Sequence, residues 1–166
     1  MDALLSIPLE GAFDDPNLAG VDFESKRVIL LTAHRRENHG LPLRSICRAM
    51  KELVERFDDV EVVYPVHLNP NVSGPVHEEL ESRSRIMLCD PVSYRDLLKL
   101  MNRSCLIMTD SGGIQEEAPS FHKPVLVLRE LTERPELVEA GAGRVVGTDC
   151  ERIIQEASLL LTNAIE

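Results

Sequence analysis

The chain has 166 residues, 43% of them hydrophobic and 28% charged. That is enough for one folded domain with a substantial core, and too ordinary a mix for wholesale disorder. Its 28 acidic and 18 basic residues leave a formal net charge of −10, which excludes nucleic acid and anionic membrane as expected partners, because both are bound through Lys and Arg that displace counterions. No apolar run is long enough to span a bilayer, and the first residues (MDALLSIPLEG) lack the basic and apolar regions of a leader, so the cytoplasm is the expected location.

Aromatic residues make up 4% of the chain and Trp is absent, so Leu, Val and Ile must build the core. The cysteines Cys47, Cys89, Cys105 and Cys150 form no CxxC pair and read as reduced, mostly buried thiols. Neither a metal nor a cofactor is expected.

Residues 1–25 carry Pro16, two glycines and Asp14–Asp15 without a sustained period, and read as a linker or peripheral segment. From residue 26 to 166 short apolar runs alternate with amphipathic ones. The predicted strands are Arg27–Thr32, Val60–Pro65, Arg85–Cys89, Cys105–Thr109, Pro124–Leu128 and Arg144–Gly147. The predicted helices are Pro42–Phe57, Gly74–Ser82, Ser93–Asn102, Gly113–Phe121, Pro135–Ala140 and Asp149–Thr162. In the first helix Leu43, Ile46, Cys47, Met50, Leu53, Val54 and Phe57 recur at three- and four-residue spacing, which makes one apolar stripe. Strands apolar on both faces and separated by helices imply an α/β fold, a doubly wound parallel sheet of Rossmann type. Ligands of such sheets bind beyond the carboxyl ends of the strands, and those ends are legible.

The first strand runs into Ala33-His34-Arg35-Arg36-Glu37-Asn38-His39-Gly40, the most basic spot in an acidic chain. It suits phosphate oxygens, though the same charges would also suit a solvated turn. The second strand ends in Tyr64-Pro65-Val66-His67-Leu68-Asn69-Pro70-Asn71, which reads as a rigid loop. There His67 is either a ligand-facing donor or a loop-stabilising side chain. The fourth strand is followed by Asp110-Ser111-Gly112-Gly113 and a helix start. Glycines admit a close backbone approach, the first amides of a helix point outward, and Ser111 adds a hydroxyl. Glu117, one turn on, is placed to accept from ribose hydroxyls. The alternative is an ordinary Ser-capped helix. The fifth strand exits toward Thr132, Glu133 and Arg134, with Pro135 fitting a helix start and Gly141 its end. Arg129 and Arg134 could clamp a diphosphate or pair with the neighbouring glutamates.

Taken in order, TAHRREN, YPVHLNPNV, LIMTDSGGIQEEAPSFHKPVLVLR and TERPE closely resemble the non-hydrolysing UDP-N-acetylglucosamine 2-epimerases, over nearly all of residues 26–162. The resemblance implies one half of a glycosyltransferase-B-like fold of two Rossmann-like domains, with substrate in the cleft between them. It implies that this chain is the C-terminal, nucleotide-holding half; Asp2-Ala3-Leu4-Leu5 resembles the segment just after the first domain. By the same resemblance Ser111, Gly112 and Gly113 meet phosphate, Glu117 meets ribose, and His34 and Arg134 face the diphosphate and sugar, with His34 the catalytic candidate. The family's reaction removes the C2 proton and expels UDP to a glycal, then adds UDP back after C2 is reprotonated on the other face, interconverting UDP-GlcNAc and UDP-ManNAc. Its main carboxylates come from the N-terminal domain, so the chain alone is expected to bind UDP or UDP-GlcNAc and be largely inactive. A homodimer is expected of the full-length protein, and cell-surface polysaccharide precursors are the implied pathway.

In two places the chain departs from the family. It has Val92 where the family often has Gln nearby and Leu97 where an aromatic is usual, both expected beside the uracil. It also ends at Glu166 without the further helical tail. A hydrolysing relative would use the same loops. A UDP-sugar glycosyltransferase domain fits the TERPE loop less well. A response-regulator module with Asp110 as phosphoacceptor would need acidic residues where His34-Arg35-Arg36 stand. A non-catalytic UDP-sugar sensor remains, with Arg35, Glu37 and His67 as a candidate regulatory site.

Overall fold

A computed structural model describes residues 12–81, 83–130 and 143–163. Six strands form one fully parallel sheet in the order β3-β2-β1-β4-β5-β6: β1 (Arg27–Thr32), β2 (Val60–Pro65), β3 (Ile86–Cys89), β4 (Leu106–Thr109), β5 (Val125–Val127) and β6 (Gly143–Val145). Among the described residues five α-helices accompany them: α1 (Leu41–Arg56), α2 (Pro70–Leu80), α3 (Tyr94–Arg103), α4 (Gly112–Glu117) and α5 (Cys150–Asn163). This is the doubly wound order, with its reversal between β1 and β4. The predicted helix at Pro135–Ala140 lies outside the described residues.

Alternation within the strands builds two cores. Ile29 and Leu31 of β1 point to the face covered by α1, α2 and α5. Val28 and Leu30 point to the face covered by α3 and α4. Because both faces are covered, every residue of β1 after Arg27 is buried.

The element boundaries moved where local chemistry overrides apolar patterning. Arg85 has φ 64°, a left-handed residue that cannot extend β3. Its guanidinium instead donates to Phe57 O at 2.9 Å and Val60 O at 2.8 Å, where α1 ends. β6 stops before Gly147, whose φ of +68° suits glycine and whose missing Cβ avoids Glu130 Oε1 at 2.8 Å.

The stretch read as a rigid loop through Asn71 opens α2 four residues earlier than predicted. Asn69 caps it by accepting from Asn71 N at 2.9 Å, and Pro70 occupies the first turn, where no N–H is required. α4 gives way at Ala118 to a 3-10 turn, Ala118–Phe121, containing Pro119, and His122 ends it with φ 57°.

Residues 12–25 are docked against α3. The buried Asp96 carboxylate accepts from Asp14 N at 2.7 Å and Asp15 N at 2.8 Å, and Lys99 Nζ donates to Ala12 O at 2.6 Å. Leu18 and Val21 enter the second core, and the stacked rings of Phe13 and Phe23 lie under the Arg103 guanidinium.

The four cysteines are free. Burial pushes the thiols of Cys47 and Cys89 up to about 12, so both are inert as nucleophiles at neutral pH.

Candidate functional site

At the carboxyl edge of the sheet, around the reversal between β1 and β4, lies an open cavity of about 310 Å³. That is near the lower end of the roughly 300–1,000 Å³ usual for small-molecule sites. Its lining comes from the ends of four strands: Thr32 and His34 after β1, Pro65 and His67 after β2, Pro91, Val92, Tyr94 and Leu97 after β3, and Ser111, Gly113, Ile114 and Glu117 after β4.

The β4 end is built for close approach. The Thr32 and Thr109 hydroxyls share a hydrogen bond of 2.6 Å, and Thr109 Oγ1 also accepts from Ser111 N at 2.9 Å, which fixes the turn into α4. Ser111 stands at the N-cap, but its hydroxyl is 3.5 Å from Ile114 N, a distance at which capping is weak. That oxygen is therefore available to another partner. A six-residue helix has little macrodipole, so any anion here would be held by the direct N–H groups of its first turn.

A buried carboxylate holds the first loop in place. Asp110, fully buried, accepts from His34 N at 2.9 Å, Arg35 N at 2.9 Å and Asn38 Nδ2 at 3.0 Å, and the same Asn38 amide donates to Leu128 O at 3.0 Å. One side chain thus ties the loops after β1, β4 and β5 together. A carboxylate so enclosed is unsuited to accept a phosphoryl group, which disposes of the signalling alternative. The first loop is supported from the other side by Tyr64, whose hydroxyl donates to Ala33 O at 2.5 Å. Burial pushes that phenol well above its usual range, so it stays a donor.

His34 and His67 stack, with ring centroids 5.5 Å apart and planes at 23°. His67 therefore lines the same cavity as His34. Arg35 and Glu37 stand beside the cavity, outside its lining. Glu37 Oε1 accepts from Arg35 Nε at 3.1 Å and from Arg129 Nη2 at 2.9 Å. The structure thus brings together seven residues singled out in the sequence: His34, His67, Val92, Leu97, Ser111, Gly113 and Glu117. Gly112 opens α4 just behind Gly113. Arg134 lies outside the described residues.

Tyr94 escaped notice in the sequence. As the first residue of α3, after its N-cap Ser93, it reaches across the cavity and its hydroxyl donates to Glu117 Oε1 at 2.7 Å. That bond to the carboxylate pushes the Tyr94 phenol above its ordinary value. An aromatic residue directly after a helix cap at a strand end was the available signal. Asp110 and Asn38 gave none, because their roles depend on three loops meeting.

Comparison with known proteins gives this arrangement a lineage. A Thermotoga maritima relative is 55% identical over 154 residues, a match covering 93% of this chain and 41% of the relative. The UDP-N-acetylglucosamine 2-epimerase of Escherichia coli K12 is 51% identical over 141 residues, covering 85% of this chain and 38% of the relative. The crystal structure of the Neisseria meningitidis UDP-GlcNAc 2-epimerase bound to UDP-GlcNAc superposes with a TM-score of 0.85 at 44% identity, over 89% of this chain and 39% of the other. The chain spans about two fifths of the length of the curated relatives it matches. The family model described as UDP-N-acetylglucosamine 2-epimerase matches residues 2–166, and with relatives this similar carrying the same fold, the chain belongs to that family.

Proposed function

We propose that this chain is the C-terminal, UDP-holding domain of an enzyme that interconverts UDP-GlcNAc and UDP-ManNAc. The observation that carries the reading is the cavity at the β1/β4 reversal. There a loosely committed Ser111 hydroxyl, the side-chain-free Gly113 and the Glu117 carboxylate come from α4 and its cap, and His34 joins the same lining. In this reading the Ser111 hydroxyl and the first-turn amides of α4, Gly112 and Gly113 among them, hold the diphosphate. Glu117 accepts from the ribose diol, and Pro91, Val92 and Leu97 face the base. Amides carry no net charge of their own, so they suit an anion on an acidic chain whose wider field repels it.

His34 sits where the β-phosphate and sugar would meet, and can donate to the leaving diphosphate as the C1–O bond breaks. Residues 26–166 constitute the nucleotide-holding unit in this scheme, and Arg134 completes the diphosphate contacts. The principal proton-transfer carboxylates come from the remaining three fifths of a full-length relative. Elimination of UDP to a glycal, followed by its return after C2 is reprotonated on the other face, then requires both halves together.

Calorimetry with UDP tests the binding half of this scheme. One site is expected, weakened more than about tenfold in a Ser111→Ala, Glu117→Ala double variant, since each lost ligand hydrogen bond is worth about 1 kcal/mol or more. Absence of heat with the unaltered chain would refute it. Incubated with UDP-GlcNAc, the 166-residue chain is expected to release almost no UDP-ManNAc. Turnover near that of a full-length relative would contradict the division of labour.

A further inference from the structure

Tyr94 joins two walls of the cavity through its side chain. It begins α3, whose first turn also carries Leu97 and which follows Pro91 and Val92. Its hydroxyl donates to Glu117 Oε1 at 2.7 Å, at the far end of α4. The bond thus links the wall assigned to the base with the carboxylate assigned to the ribose. Tyr94 itself is 44% exposed, so burial does not require it there.

A glutamate on an open rim would otherwise sample several rotamers at similar energy. One phenol donor on Oε1 selects among them. A carboxylate has about four lone-pair positions, so Oε2 and one position on Oε1 remain for a diol. Tyr94 is itself held. Ser93 Oγ caps α3 by accepting from Asp96 N at 3.1 Å and donates to Asp14 Oδ2 at 3.0 Å. The Asp96 carboxylate takes the amides of Asp14 and Asp15.

We propose that Tyr94 is a positioning residue that sets the Glu117 carboxylate for the ribose diol, so that the site discriminates ribonucleoside from 2′-deoxyribonucleoside diphosphates. The proposal rests on the reading of Glu117 as the ribose acceptor. Tyr94 acts through Glu117 and needs no contact with the nucleotide. Its removal leaves diphosphate and base contacts in place while loosening the one acceptor that senses the diol.

The test compares UDP with 2′-deoxy-UDP by calorimetry on the full chain and on Tyr94→Phe, which keeps the ring and removes the hydroxyl. The full chain is expected to prefer UDP. In Tyr94→Phe, UDP should weaken about five- to tenfold and 2′-deoxy-UDP less than about twofold, the difference being one charge-assisted hydrogen bond. Equal weakening of both ligands, or of neither, overturns the positioning role. If the full chain binds no UDP, the functional reading falls and this proposal with it.

A ligand-free readout separates the two cases. The chain has two tyrosines and no Trp, and Tyr64 is buried, so alkaline ultraviolet titration reports Tyr94 first. Glu117→Gln removes the charge that holds the phenol protonated and should shift that titration to lower pH. An unshifted titration means that the Tyr94–Glu117 bond does not persist in solution, and overturns the proposal whatever the ligands do.

Discussion

Gly113 occupies the second position of α4 with an ordinary backbone, outside the positive-φ glycines. A Cβ built there would meet only Ser111 Oγ, at 3.8 Å. Nothing within the described protein therefore calls for glycine, and alanine would favour the helix by up to about 1 kcal/mol. The diphosphate contact proposed above would supply such a reason. Gly113→Ala is expected to melt at or above the temperature of the unaltered chain while binding UDP at least about tenfold more weakly, as thermal melting and calorimetry on one preparation will tell. Unchanged affinity would mean that no phosphate approaches that amide. Asp110 is the opposite case, a residue whose work is wholly internal. Its neighbours in sequence suggested chemistry, yet its carboxylate is consumed by His34 N, Arg35 N and Asn38 Nδ2. A buried acid in a glycine-containing turn looks the same in sequence whether it reacts or only anchors, because its donors come from a loop some 70 residues away along the chain.

α3 and the segment from residue 12 to 25 illustrate how elements depend on one another. Sequence patterning marks the helix and leaves the segment as a linker, since the segment has no period of its own. The structure docks it through Asp96, Lys99, Leu18 and Val21. The Asp96→Ala variant would leave two partly buried amides without their acceptor, a loss of about 2 kcal/mol on the scale of about 1–3 kcal/mol for such groups. Denaturant unfolding should show that drop, and hydrogen exchange should show it concentrated at residues 12–25 and the start of α3. Asp96→Asn retains one acceptor oxygen and should lose less. If Asp96→Ala unfolds like the unaltered chain, the segment is not held by this side chain. The early start of α2 has a similar origin. Asn69 and Pro70 are turn formers in isolation, and become a cap and a first helical residue once Val72 and Val76 have a core to enter.

Across the whole molecule, Arg27 fastens three elements at the edge opposite the cavity. It grips Asp59 through Nε at 2.7 Å and Nη2 at 3.1 Å, and donates from Nη1 to Leu161 O at 2.5 Å. The hydrogen bond from Arg27 holds the Asp59 carboxyl below its ordinary 3.8, and that from Lys51 holds Glu79 below 4.5. Depressed acids contribute stability that is present above their unfolded values and is lost as pH falls through the folded ones. Stability should therefore decline in acid below about pH 4, and Asp59→Asn with Glu79→Gln should flatten that decline in urea titrations across pH. Asp59 is about half exposed and Glu79 is mostly covered, with side-chain exposures of 48% and 14%, so solvent screening keeps the Asp59 part of the effect modest. A decline equally steep in the double variant would place the acid sensitivity elsewhere. By itself the sequence determined the α/β class, the parallel sheet and the places where strands end, because apolar runs of strand length alternating with helical stripes admit few other architectures. It also carried the family, since motifs at four strand ends appear in one order. Only the tertiary structure decided that Asp110 is an anchor, that His34 and His67 face each other, that residues 12–25 are docked, and that Tyr94 reaches Glu117. Each of these is a contact between side chains or amides far apart in sequence, and local patterning carries no information on such distances until the sheet has set them.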